Sequence, residues 1–140
     1  MNSIISIPRT LANRLLTLAQ LNPNIEICGL IACAKNKDKN KKYNVYPVNN
    51  IAANNECVFE MDPQQQINAF KKIRENQQTL FAIYHSHPNS DAIPSKKDID
   101  DSAYNGALNI IISLNTEGVM DMRGYFYDAG NVKKIKLIIE

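Results

Sequence analysis

Residues 26–34 (EICGLIACA) constrain this chain more than any other stretch. Apolar and small residues follow Glu26 without a break, over a length too short for a buried helix, which predicts a buried strand. Residues 79–84 (TLFAIY) form a second apolar strand that runs straight into His85-Ser86-His87-Pro88, where proline ends the ladder. Further strands are predicted at 3–7, 43–48, 57–61, 108–114, 120–127 and 132–139, with turns at Gly118 and Ala129-Gly130-Asn131. Leu11, Leu15, Leu18 and Leu21 recur at helical spacing after Pro8 and predict a helix ending near Asn22-Pro23. Asp62-Pro63 opens a second helix, with Ile67, Phe70 and Ile73 on one face, which fades at Asn76. A third is predicted over 95–105, and the Asn-rich residues 49–55 read as a loop. Interleaved helices and strands that close in a meander predict one mixed α/β domain over residues 1–140.

Charge excludes some partners. Sixteen Lys+Arg against fourteen Asp+Glu leave a formal +2, and the lysine-rich stretch 35–42 contains no aromatic ring for a base to stack on. It reads as a solvated loop, so no nucleic-acid partner is expected. No basic segment precedes a continuous apolar core at the N-terminus, and no apolar run is long enough to cross a bilayer. Three cysteines without CxxC spacing fit reduced thiols, and a soluble cytoplasmic protein without a membrane partner is expected.

The two histidines of the chain, His85 and His87, stand at i and i+2 of a strand end and so project from one face. Asp98 follows across a loop containing Pro88 and Pro94 that can swing its carboxylate back toward them. Two imidazoles and a carboxylate would hold a zinc ion with its fourth position open to water, the arrangement of a catalytic rather than a structural site. Hydrolysis also needs a proton carrier, and Glu26 is the candidate, because a charge at the start of an apolar strand is costly unless it faces a polar site. Ser95-Lys96-Lys97-Asp98 is at the same time a capping-box pattern, and Asp98 can serve both the helix and a metal.

Taken together, His85-Ser86-His87-Pro88, the spacing to Ser95, and Asp98 three residues further on resemble the H-x-H-x₇-S-x₂-D signature of the JAMM (MPN-plus) zinc metallopeptidases. Glu26 with Cys28-Gly29-Leu30 is similar to the upstream Glu segment of the small prokaryotic members. Cys33 departs from the pattern, since many relatives have Gly there. The resemblance implies a cytidine-deaminase-like α/β fold, a mixed sheet sandwiched by helices, with one Zn²⁺ per chain. It implies His85, His87 and Asp98 as metal ligands, Glu26 as catalytic acid/base and Ser95 as the hydroxyl that helps hold the oxyanion. The implied substrate is a ubiquitin-like or sulfur-carrier protein cut after its C-terminal Gly-Gly. Three alternatives stand beside this reading: a Cys28 thiolate nucleophile with His85 as base, a silent module that only binds a ubiquitin-like partner, and a peptidase for cell-wall or phage substrates.

Overall fold

The computed structural model describes residues 4–35, 42–102, 104 and 106–140. The strands are β1 (Ile4–Ile7), β2 (Cys28–Ala34), β3 (Tyr43–Val48), β4 (Gln78–His87), β5 (Leu108–Ser113), β6 (Asp121–Asp128) and β7 (Asn131–Ile139). They form one mixed sheet in the order β1-β7-β6-β5-β4-β2-β3. The β1–β7 and β4–β5 pairs are parallel and the other neighbours antiparallel. The helices are α1 (Arg9–Leu21), α2 (Pro63–Glu75) and α3 (Lys96–Asp100).

Two cores explain why the central strands are apolar on successive residues. Ile31, Ala82, Tyr84, Ile110 and Ile112 pack with Leu11, Ala12, Leu15 and Ala19 of α1. Their strand neighbours Leu30, Ala32 and Ile83 face the other way and pack with Ala69 and Ile73 of α2. With α1 on one face and α2 on the other, the sheet is sandwiched, and apolar burial on both sides supplies the main driving force. Gly29 permits a close approach between strands. A Cβ there would lie 2.5 Å from the Tyr84 hydroxyl oxygen and 2.6 Å from the Tyr46 carbonyl, so no larger residue fits without movement.

Several predicted elements differ from those observed. Residues 57–61 do not form a strand. They make only the isolated bridge Asn50–Met61, because side-chain groups take the backbone partners that a ladder would need. The third helix stops at Asp100 instead of continuing to residue 105, and Tyr104 instead sets its ring against Phe70 of α2. β2 begins at Cys28 and leaves Glu26 outside the ladder, whereas β4 extends through both histidines. The buried face of α1 is Leu11, Ala12, Leu15 and Ala19, with Leu21 69% exposed. In α2, Ile67 points to solvent while Ala69 and Ile73 are buried. Residue 3 and most of the lysine-rich stretch, 36–41, lie outside the described residues.

Candidate metal centre

Register brings Glu26 to the histidines. Cys28 pairs with His85, and just outside that last pair the chain carries Ile27 past Ser86 and Glu26 toward His87. Residues opposite each other on antiparallel chains share a face, which is the face that α2 and α3 cover. Asp98 arrives from the first turn of α3. Ser95 caps that helix by accepting the Asp98 N–H at 3.1 Å, and the Ser95 N–H donates to Asp98 Oδ2 at 2.9 Å, completing the reciprocal box.

That carboxylate oxygen also lies 3.1 Å from His85 Nε2 and 3.3 Å from His87 Nε2, and the two ring nitrogens are 3.1 Å apart. Ligand atoms at about 2.0–2.1 Å from a tetrahedral zinc stand about 3.3–3.4 Å from one another, so this triangle has nearly the size of a zinc coordination face. His87 Nδ1 lies 2.7 Å from the Asp91 carbonyl. A carbonyl can only accept, so Nδ1 carries the hydrogen and the lone pair of neutral His87 is at Nε2, facing the carboxylate. Acceptors gathered so closely in a buried site cost free energy unless a cation or proton sits among them. Glu26 Oε1, buried and without a hydrogen-bond partner, adds another. Donor atoms of Glu26, His85, His87 and Asp98 all lie within 4.8 Å of one another, and a metal ion fits the cluster.

Burial raises the Glu26 carboxyl to about 7, against the pull that His87 exerts when protonated and with the push of Asp98. Burial also lowers His85 below its ordinary value, which keeps it a neutral donor. Burial would raise the Asp98 carboxyl, but a proton held on the histidine Nε2 atoms of the metal-free site, together with the Ser95 N–H, donates to it and holds it well below the usual carboxylate range. The Cys28 thiol is pushed up to about 12 by burial and by Glu26, and it donates to the Val48 carbonyl at 3.4 Å. A thiol in that condition is a poor nucleophile near neutrality, which counts against the Cys28 alternative.

An outer ring of contacts holds these groups. Tyr125 donates to the Ala92 carbonyl at 2.6 Å and Ser113 to the Ser90 carbonyl at 2.7 Å, which fixes the Asp91 carbonyl that orients His87. Phe59 stacks on the His85 ring with centroids 4.4 Å apart. Asn50 was visible in the sequence only as part of an Asn-rich loop. Its amide nitrogen donates to the carbonyls of Glu26, Asn55 and Val58, and its oxygen accepts the N–H groups of Ala52 and Glu60. Beside Asp98, between this loop and α3, opens a cavity of about 690 Å³ lined in part by Phe59, Met61, Ile83, Lys97 and Tyr104.

This fold and donor set define a class, and comparison with known proteins agrees. The model of the prokaryotic homologues of the JAB domain matches residues 8–125, and the chain belongs to that family. Among its relatives is a desampylase of Haloferax volcanii, 30% identical over 92 residues that cover 66% of this chain and 65% of that protein. A CysO-cysteine peptidase of Mycobacterium tuberculosis is 22% identical, with 87% of this chain and 82% of that protein aligned. A solution structure of a Desulfitobacterium hafniense protein superposes with a TM-score of 0.81 at 27% identity, covering 98% of this chain and 93% of that one. The crystal structure of a JAB1/MPN domain protein from Archaeoglobus fulgidus shares the fold, with a TM-score of 0.58 at 17% identity and coverage of 99% and 100%.

Proposed function

We propose that this protein is a zinc-dependent peptidase that hydrolyses the amide or isopeptide bond following the C-terminal Gly-Gly of a ubiquitin-like or sulfur-carrier protein, residues 1–140 acting as one catalytic domain. The observation that carries the reading is the triangle of His85, His87 and Asp98 donor atoms with the unpartnered Glu26 carboxylate beside it. Relatives named desampylase and CysO-cysteine peptidase support the choice of substrate class. Free thiols at Cys28, Cys33 and Cys57 go with a cytoplasmic setting.

In this reading His85, His87 and Asp98 are the ligands. When bound, the zinc ion supplies Lewis-acid activation of water and of the scissile carbonyl. Glu26 accepts a proton from the attacking water and delivers it to the departing amine, a task suited to a carboxyl raised to about 7. The Ser95 hydroxyl oxygen is occupied by the Asp98 N–H, and its own proton is left to donate to the carbonyl oxygen as that oxygen gains negative charge. Glycines at the end of the substrate tail let its backbone approach closely, since they lack Cβ.

The test is cleavage of a small folded carrier ending in Gly-Gly and joined to cysteine or to a lysine side chain, run beside a free peptide of the same tail. Faster release from the folded carrier, and slower release when the last Gly becomes Ala, are expected. Equal rates on both would leave a broader peptidase, the cell-wall or phage alternative included. No release from any of them by zinc-loaded protein would favour the silent binding module.

A further inference from the structure

His85, His87, Asp98, Glu26 and Ser95 all have roles in the reading above, but the residue between the histidines has none. Ser86 is completely buried. Its backbone N–H donates to the Ile27 carbonyl at 3.0 Å, as in an ordinary antiparallel rung. The return bond is not ordinary. The Ile27 N–H donates at 2.9 Å to the Ser86 hydroxyl oxygen, in the place where a ladder would offer a backbone carbonyl. The same hydroxyl donates to the Ile25 carbonyl at 3.4 Å. One side chain therefore grips the chain on both sides of Glu26.

The consequence is geometric. β2 begins only at Cys28, so the ladder does not fix Glu26. A hydroxyl that substitutes for a carbonyl shifts the 25–27 segment away from the position that regular pairing would give it, and it sets the direction in which Glu26 leaves the backbone. The remaining backbone groups of Glu26 are held from the other side, its N–H by the Asn55 carbonyl at 2.7 Å and its carbonyl by the Asn50 amide at 2.9 Å. A proton carrier has to keep its carboxylate within hydrogen-bond reach of the water, and a displacement of about 1 Å can cost up to about 10²-fold in rate.

Resting on the proposed role of Glu26, we infer that Ser86 is a positioning residue whose hydroxyl sets Glu26 over the metal centre by replacing one rung of the β2–β4 ladder. Ser86→Ala allows the Ile27 N–H to seek a backbone carbonyl and the Glu26 segment to move.

The experiment is a double-mutant cycle on the zinc-loaded full chain with the Gly-Gly carrier–cysteine conjugate as substrate. Ser86→Ala should lower kcat by at least about tenfold with KM and zinc content unchanged, and Ser86→Ala/Glu26→Gln should be no slower than Glu26→Gln alone. A second readout needs no turnover. In the metal-free protein the Ile27 amide should exchange with solvent at least about tenfold faster in Ser86→Ala while the other β2 amides keep their protection. Should Ser86→Ala not fold, Ser86→Thr keeps the hydroxyl and must hold kcat within about threefold of wild type. Additive losses in the double variant, a change confined to KM, loss of zinc, unaltered Ile27 exchange, or a Thr variant as slow as Glu26→Gln would each overturn the inference. Failure of the underlying reading looks different, since Glu26→Gln alone would then remain active.

Discussion

Replacing Glu26 with Gln in metal-free protein should stabilise the fold above neutral pH and leave it nearly unchanged near pH 4.5. Burial raises the carboxyl from an ordinary 4.5 to about 7, with His87 opposing and Asp98 adding to that push. Between those two values the folded protein binds more protons than the unfolded chain. Stability therefore falls as pH rises through the window, and the loss is complete above about 7. At about 1.4 kcal/mol per pH unit the whole difference is worth about 3 kcal/mol. Water entering the cleft screens part of it and leaves about 2 kcal/mol as the cost of the ionised carboxylate. Gln keeps the shape and drops the charge, so chelator-treated Glu26→Gln should melt about 5 °C above wild type near pH 8 and within about 1 °C of it near pH 4.5. Paired thermal melts at the two pH values read this directly. A variant destabilised equally at both would refute the reasoning, because the carboxylate would then be making contacts worth more than its burial costs. The same substitution should leave zinc bound and reduce turnover by at least about 10²-fold, so Glu26 exchanges stability for activity.

Wild-type protein purified without chelator should carry close to one zinc per chain by elemental analysis, and Asp98→Ala should lose most of it, since one anionic corner of the donor triangle disappears. Tyr125→Phe removes the hydroxyl that holds the Ala92 carbonyl, and chelator-competition titration should show zinc affinity lowered by about tenfold although no ligand is touched. Gly29→Ala sets a methyl against the Tyr84 hydroxyl and the Tyr46 carbonyl, and urea unfolding should record a loss of about 2 kcal/mol or more. Cys28→Ser should keep activity within about threefold in the conjugate-cleavage assay, because that thiol, although next to the site, is buried, protonated and bonded to the Val48 carbonyl.

The residues proposed to carry the chemistry were legible as candidates because their meaning lies in spacing. Two histidines two apart on a strand share a face whatever surrounds them, and Glu26 is conspicuous as a charge opening an apolar run. Ser86 and Asn50 carry no such mark. Each works by bonding backbone groups distant in sequence, Ser86 to Ile25 and Ile27, Asn50 to Glu26, and those partners exist only once β2 and β4 have paired. The same cause explains the strand predicted at 57–61. Its residues are suited to a strand, but the Val58 carbonyl and the Glu60 N–H are taken by the Asn50 amide, so the segment becomes a wall of the cleft.

Helix periodicity found Leu11, Leu15 and Ile73 of the buried faces but missed their small residues, for a different physical reason. Reading by hydrophobicity also selects Leu21 and Ile67, but a helix laid on a sheet is closest along a narrow stripe, where a small side chain permits contact that a large one would block. Ala12, Ala19 and Ala69 occupy that stripe and are fully or nearly fully buried, while Leu21 and Ile67 are 69% and 61% exposed. The close contact matters at the site as well. Ala69 and Ile73 bring α2 onto Leu30, Ala32 and Ile83, and the strands β2 and β4 that they press together are the ones whose ends present Glu26, His85 and His87 to one another. Enlarging Ala69 would therefore act on the metal centre through strand pairing, without touching a ligand.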